Sequence, residues 1–144
     1  MQPQMDGPDI DAFLAEIFPQ VSGYSVEAVT DHGARLRLTV SDRHLRPGGT
    51  VSGPTMFELA DLAMYAALLS RIGRVALAVT TGASIDFMRK PAAGRDLVAD
   101  CRLLKLGRVL AVGDALIFSD GVEGPVARAS LSYSIPPKAS ENGR

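Results

Sequence analysis

The segment 54–71 predicts one long helix that is apolar on every face. A helix of this kind belongs inside a hydrophobic core, because none of its faces suits water. It nevertheless carries two carboxylates, Glu58 and Asp61, and an ionised carboxylate is costly to bury without a partner. The rest of the chain must therefore surround this helix and also accommodate two acidic side chains.

Turn signals mark both ends of the helix. Pro54 suits the first helical turn, where its missing N–H matters least, and either Ser52 or Gly53 would be the N-cap. Gly73 closes the other end. Free N–H groups after Gly53, together with the positive end of the helix dipole, could stabilise an oxyanion. The glycines of this turn, Gly49 among them, either let a substrate approach the backbone or serve only the turn.

Most of the remaining chain predicts antiparallel strands. Alternation and turn signals place strands at 24–30, 34–40, 76–87, 96–106, 109–118 and 126–135. A short helix, capped by Asp9 or Asp11, precedes them and ends at about Phe18. Tight turns between consecutive strands imply an antiparallel sheet. A sheet of this kind with one all-apolar helix predicts an α+β fold in which the sheet wraps the helix.

Composition narrows the function classes. The 144 residues fit a single domain, with a loose arm at 1–8 and a flexible tail at 137–144. The net charge is −1 without a basic block, which argues against nucleic acid as a partner. The polar start and short apolar runs argue against a signal peptide and a membrane span. The lone Cys101 suits a reducing compartment, so we expect a cytoplasmic protein, and no metal-ligand spacing is present.

The two carboxylates on the central helix allow two interpretations. Glu58 and Asp61 are three residues apart, and Thr55 and Tyr65 extend the same stripe. This stripe is either a solvated face or the lining of a mostly apolar pocket in which a carboxylate acts as general base or nucleophile.

Helix length determines how the carboxylate and the helix start could act together. Asp61 lies eight residues beyond Gly53, or ~12 Å along the axis, so one carbonyl cannot touch both. If two copies pack with these helices antiparallel about a two-fold axis, Asp61 of one copy faces the helix start of the other. The chemistry would then need a dimer with two composite sites.

These motifs resemble those of the hotdog-fold acyl-CoA thioesterases, in the phenylacetyl-CoA thioesterase-like branch. That family has a glycine turn, usually followed by His-Gly-Gly, and a helix with Leu-Ala-Asp nine residues after the histidine. Here Asp61 ends the sequence Leu-Ala-Asp nine residues after Ser52. The resemblance covers about residues 20–136. It implies a hotdog fold, hydrolysis of an acyl-CoA thioester, no cofactor beyond the coenzyme A of the substrate, and a homodimer or homotetramer.

The resemblance also assigns roles by position. It makes Asp61 the catalytic carboxylate, Gly53 the backbone donor of the oxyanion hole, and Thr80 or Thr81 the hydroxyl that orients water. Arg89 and Lys90 fall where some relatives contact the coenzyme A phosphates, although we favour the simpler interpretation that they are surface charges at the end of a strand.

This sequence departs from the family pattern at three positions. Ser52 replaces the usual histidine, Pro54 replaces a glycine, and Arg46 stands where relatives often have an asparagine that fixes substrate or water. Glu58 has no family role and either lies at the surface or lines the pocket. The loss of the histidine keeps open a non-catalytic acyl-CoA binding module. A hotdog hydratase is a further alternative, but His32 and His44 look like turn and loop residues.

Overall fold

A computed structural model describes residues 2–137 of the chain. Within this range the chain forms two α-helices and six strands. The elements are α1 (Gly7–Ile17), β1 (Tyr24–Val29), β2 (Gly33–Leu38), α2 (Gly53–Ile72), β3 (Val79–Phe87), β4 (Leu97–Leu106), β5 (Leu110–Ser119) and β6 (Ala127–Ser134). A short 3-10 turn, Asp42–His44, lies between β2 and α2.

The six strands form one antiparallel sheet in the order β1-β2-β4-β5-β6-β3. Short turns at residues 30–32 and 107–109 connect β1 to β2 and β4 to β5, as the sequence predicted, whereas a longer loop at residues 120–126 connects β5 to β6. β3 pairs with β6, the last strand, rather than with its neighbour in sequence. This crossing carries β3 to one edge of the sheet, where β6 is its only partner among the described strands.

The central helix α2 lies in the core, as its all-apolar sequence predicted. The Ser52 hydroxyl caps it by accepting a hydrogen bond from the Thr55 N–H, and Gly73 ends it with a positive φ of 85°. Leu59, Ala63 and Leu68 are fully buried against the concave face of the sheet. This is the α+β hotdog arrangement that was expected.

Small residues on β5 make room for the helix. Gly113 faces α2, and a Cβ atom there would lie 2.6 Å from Met64 Sδ and 2.8 Å from the Arg102 carbonyl oxygen. Ala111 and Ala115 flank it on the same face and are fully buried. The sheet can therefore curve closely around α2 only because these side chains are small.

The N-terminal segment differs from its prediction as a loose arm. The carboxylate of Asp6, not that of Asp9 or Asp11, caps α1 by accepting a hydrogen bond from the Asp9 N–H. Met5 is buried, and the Gln4 N–H donates to the Ser70 carbonyl at 2.6 Å. Asp11 instead accepts a hydrogen bond from the Val26 N–H, which joins α1 to β1.

Two other expectations need correction or stay open. β3 begins at Val79 rather than at residue 76, because the chain first makes a turn in which the Ala78 N–H donates to the Val75 carbonyl. The predicted flexible tail lies, from residue 138 onward, outside the described residues. Within residues 2–137, no helix is both long and apolar enough to cross a bilayer.

Candidate active site

Asp61 lies where α2 meets strands β3 and β6. The Thr80 hydroxyl donates a hydrogen bond of 2.6 Å to Asp61 Oδ1. The Tyr133 hydroxyl donates to the same oxygen at 2.9 Å and lies 3.1 Å from the Asp61 carbonyl oxygen. The carboxylate is half-buried, so three elements fix it while one side stays open.

The other carboxylate oxygen of Asp61, Oδ2, is not held by these two hydroxyl groups. None of the described residues donates a hydrogen bond to Oδ2, while both hydroxyl donors hold Oδ1. A carboxylate held through one oxygen presents the other in a fixed direction, which suits a general base or a nucleophile.

Tyr133 is itself held firmly. Its ring stacks on Tyr65, with centroids 5.9 Å apart and planes at 23°. The Tyr65 hydroxyl donates to the Ala76 carbonyl at 2.6 Å. Burial, and then the nearby charge of Asp61, raise the pKa of Tyr133 well above its ordinary value, so its hydroxyl stays a donor.

The start of α2 leaves one backbone donor open. Of the first four helical residues, Pro54 has no N–H, Thr55 donates to the Ser52 hydroxyl at 3.4 Å, and Met56 donates to the Ser52 carbonyl. No described residue accepts a hydrogen bond from the Gly53 N–H. This single open donor lies at the positive end of the helix dipole, where an anion is stabilised.

An apolar surface adjoins this donor. The Phe87 ring covers Gly53 so closely that a Cβ atom on Gly53 would lie 3.3 Å from it. Phe87, Phe57, Pro54 and Ile85 line an open cavity of about 410 Å³ beside Gly53. The Phe87 side chain remains half exposed.

Glu58 does not share the surroundings of Asp61. Its carboxylate accepts a hydrogen bond of 2.6 Å from the Tyr24 hydroxyl on β1, and the residue is exposed. The predicted stripe along α2 is therefore divided, with Glu58 facing β1 and Asp61 facing β3 and β6. A separation of three positions turns the side chains far enough to reach different parts of the sheet.

The structure separates the two candidate threonines. Thr80 contacts Asp61, whereas Thr81 is exposed and its hydroxyl lies 3.4 Å from the Ser132 carbonyl. The backbone of β3 is irregular between Thr80 and Gly82, so the two side chains do not simply alternate.

The remaining predicted residues lie at the surface. Arg46 and Gly49 belong to the exposed turn before α2, where Gly49 has a φ of 82° and its N–H donates to the Arg46 carbonyl. Arg89 and Lys90 are exposed just after β3. Their proposed roles in binding substrate stay predictions.

Sequence reasoning missed the roles of Tyr133 and His44. Alternation along the last strand places Tyr133 inside, but the register that brings it to Asp61 is not visible in the sequence. His44 was expected in a loop, yet it is only 3% exposed and its Nδ1 accepts a hydrogen bond from the Ser41 N–H. Within residues 2–137, no group of three His, Cys, Asp or Glu side chains could hold a metal ion.

Comparison with known proteins identifies the family. A family model described as the thioesterase superfamily matches residues 48–125, which is more than half of the chain and includes both Gly53 and Asp61. The chain belongs to the thioesterase superfamily. It is therefore a thioester hydrolase, and the predicted family and fold are confirmed. No match was found among curated proteins.

Solved structures agree with this assignment. A Silicibacter protein described as a candidate thioesterase is 57% identical, with 95% of this chain and 96% of that chain covered and a TM-score of 0.89. The E. coli PaaI protein from the phenylacetic acid degradation operon is 25% identical, with 88% and 90% covered and a TM-score of 0.69. Zebrafish thioesterase superfamily member 2 is 18% identical, with 92% and 100% covered and a TM-score of 0.80, which shows the fold alone.

Proposed function

We propose that this thioester hydrolase cleaves an acyl-CoA thioester, with Asp61 as the catalytic carboxylate. The observation that carries the proposal is the arrangement around Asp61, in which two hydroxyl groups hold Oδ1 and Oδ2 stays open. The similarity to the PaaI protein of the phenylacetic acid degradation operon favours an acyl-CoA with an aromatic acyl group.

The chemistry follows from these groups. As a general base, Asp61 Oδ2 takes a proton from water while the water oxygen attacks the thioester carbonyl carbon. Negative charge then develops on the carbonyl oxygen, and the Gly53 N–H stabilises it. When the intermediate collapses, the C–S bond breaks and the leaving thiolate takes this proton from Asp61, which returns to its ionised form. As a nucleophile, Oδ2 would instead attack the carbonyl carbon and expel the thiolate as the C–S bond breaks, and water would then hydrolyse the resulting anhydride to the acid product and free Asp61.

We propose that Asp61 and Gly53 of one site belong to two different chains. They are ~12 Å apart along the axis of α2, too far for one carbonyl group to reach both. The free edge of β3 offers a place for a second copy, because an unpaired strand edge with apolar side chains favours pairing. Val79 and Phe87 are more than half exposed along it. The smallest active unit is then a homodimer.

Exposed cationic side chains near β3 are candidates to bind coenzyme A. Arg89 and Lys90 have no described ion-pair partner and are free to contact the phosphates of coenzyme A, with Arg46 as a further candidate.

We also propose a cytoplasmic location, since Cys101 is a buried free thiol, which suits a reducing compartment.

Thiol release from an acyl-CoA panel tests the proposed function. The panel contains acetyl, hexanoyl, phenylacetyl, benzoyl and palmitoyl thioesters. We expect Asp61→Asn to lower kcat by at least ~10²-fold, because the amide still accepts both hydroxyl hydrogen bonds but cannot act as a base. Glu58→Gln is the matched control, since it removes the same charge from the same helix, and its kcat should stay close to that of the wild type.

Two outcomes would contradict the proposal. Near-normal turnover by Asp61→Asn would exclude this residue as the catalytic group. If folded wild-type protein binds the acyl-CoA thioesters but releases no thiol from any of them, the protein is an acyl-CoA binding module or acts on another thioester.

A further inference from the structure

Phe57 lies on the face of α2 that joins the two groups of the candidate site. Gly53, Phe57 and Asp61 are spaced four residues apart, so they follow one another along a single helix face. β3 runs beside this face, and its Thr80 contacts Asp61 at one end. At the other end the Phe87 ring covers Gly53. Phe57 therefore lies between the backbone donor and the carboxylate.

The exposure of Phe57 is unusual for this helix. Its neighbours Met56 and Leu59 are buried, as expected of a helix in the core. Phe57 is 39% exposed, and Phe87 beside it is 52% exposed. Exposed aromatic side chains around a cavity are typical of a binding site. The two rings are therefore available to contact a ligand.

The cavity between Gly53 and Phe57 suits an acyl group. Its volume is about 410 Å³, and the side chains that line it are those of Pro54, Phe57, Ile85 and Phe87. None of these side chains can donate or accept a hydrogen bond. The pantetheine arm of coenzyme A carries amide groups that would lose hydrogen bonds to water here, whereas an acyl chain would lose none. An aromatic acyl group would also gain ring-to-ring contacts.

In a dimer with composite sites, Phe57 lies at the two-fold axis. It is four residues from both Gly53 and Asp61, which is ~6 Å along α2 in either direction. When Asp61 of each copy faces Gly53 of the other, the midpoints of the two helices face each other. The two Phe57 rings then lie between the two active sites. Each cavity extends from its Gly53 toward this pair of rings.

We propose that the two Phe57 rings of the dimer form a common end wall of both acyl sites and limit the acyl group to about the length of one aromatic ring. This inference rests on the proposed function and adds the residue that selects the acyl group. Ring contacts at the end wall favour a phenylacetyl or benzoyl group, whereas a long alkyl chain would have to pass the wall. Phe57 is a specificity-determining residue, because it contacts the acyl group and not the reacting carbonyl.

Removal of the ring tests the end wall. Phe57→Ala should keep the fold, because the position is partly exposed and alanine favours a helix. We expect the kcat/KM for palmitoyl-CoA, divided by that for phenylacetyl-CoA, to rise at least ~10-fold. The KM for phenylacetyl-CoA should rise more than kcat falls, since the ring binds substrate and transition state alike. Phe57→Leu, which keeps an apolar side chain without a ring, should give a smaller shift in the same direction.

Phe118→Ala is the matched control. It removes the same side chain from β5, on the face of the sheet away from α2, because the neighbouring Ile117 and Ser119 are buried. The ratio of the two kcat/KM values should stay that of the wild type. Circular dichroism checks the folding of every variant.

Mixed dimers test whether both copies contribute to the end wall. A dimer of a Gly53→Val chain and an Asp61→Asn chain has one intact composite site. Phe57→Ala is added to the first chain in one preparation and to the second chain in another. We expect the palmitoyl-to-phenylacetyl ratio to rise equally in both preparations, because both rings bound the remaining site.

The outcomes separate this inference from the proposed function. An unchanged ratio in active, folded Phe57→Ala protein would overturn the end wall and leave the thioesterase proposal intact. So would a mixed dimer that responds in only one preparation, or wild-type protein that cleaves palmitoyl-CoA as efficiently as phenylacetyl-CoA. An equal loss for every acyl group would also overturn it, because Phe57 would then contact the coenzyme A part. Wild-type protein that releases no thiol would contradict the proposed function itself.

Discussion

Asp61 and Glu58 show how two carboxylates on one helix acquire different surroundings. Both accept a short hydrogen bond from a tyrosine hydroxyl, from Tyr133 for Asp61 and from Tyr24 for Glu58. Glu58 lies in solvent beside β1, whereas Asp61 is half-buried between α2, β3 and β6 and receives a second hydroxyl from Thr80. We therefore expect the surroundings, and not the residue type, to decide which of the two carboxylates acts in catalysis.

The two tyrosines therefore provide a matched test of positioning. Tyr133→Phe removes one of the two donors on Asp61 Oδ1, and we expect kcat to fall roughly 10- to 100-fold because the carboxylate loses its fixed direction. Tyr24→Phe removes the same kind of hydrogen bond from Glu58 and should leave kcat unchanged. Steady-state kinetics on the best acyl-CoA substrate measure both. Equal effects of the two substitutions would show that the Tyr133 hydroxyl does not position the catalytic group.

His44 is a buried residue in the loop before α2, and its imidazole ring can take up a proton. Its Nδ1 accepts the Ser41 N–H at 2.9 Å, and its Nε2 is buried without a hydrogen-bond partner among the described residues. Burial, and then the charge of Arg43, lower the pKa of His44, while Glu58 acts weakly in the opposite direction. The backbone carbonyl of His44 accepts a hydrogen bond from the Ser52 N–H, so the backbone at His44 holds the residue that caps α2.

A pH dependence of stability follows. The unfolded chain takes up a proton on His44 near pH 6.5, before the folded protein does, so stability is full above that pH and falls as pH decreases toward the lower folded pKa. Urea unfolding across this range should show the loss in wild-type protein. His44→Asn keeps an acceptor but does not titrate, and the loss should shrink. His32→Asn, at an exposed turn, should retain it. If the free energy of unfolding falls equally with pH in the wild type and in His44→Asn, the titration of His44 does not cause the loss of stability.

Packing of α2 against β5 depends on the absence of a side chain at Gly113. Gly113→Ala places a Cβ atom 2.6 Å from Met64 Sδ, and we expect the free energy of unfolding to fall by about 1–3 kcal/mol because the core is overpacked. Gly82→Ala is the matched control on β3, where the nearest atom would be Ser132 Cβ at 3.9 Å. Urea denaturation compares the two. A Gly113→Ala protein as stable as the control would show that the sheet is not held this closely to the helix.

Elements of this fold were largely predictable from the sequence, because each has a local signal. Ser52 and Gly73 bounded α2, and alternation placed the strands to within a few residues. The beginning of β3 was less predictable, since hydrophobic residues continue through the turn that precedes Val79.

The active site was only partly predictable. The family resemblance pointed to Asp61 and Gly53, and it left Thr80 and Thr81 as equal candidates. The choice of Thr80 and the contribution of Tyr133 depend on how β3 and β6 pair beside α2. That register joins parts of the chain far apart in sequence, and no local pattern specifies it.

The whole molecule has one surface that suits a second copy. The free edge of β3 is apolar and lies beside the start of α2, so we assign it to the contact that completes the active site. We propose that this contact is required for catalysis.

A mixing experiment tests the shared active site most directly. Gly53→Val covers the open N–H without an unusual backbone angle, and Asp61→Asn removes the base, so each variant alone should be inactive. Co-expressed with different affinity tags, the two chains form a mixed dimer with one intact site. We expect it to recover on the order of half the wild-type thiol release per dimer. A purified mixed dimer as inactive as its parents would contradict a site built from two chains.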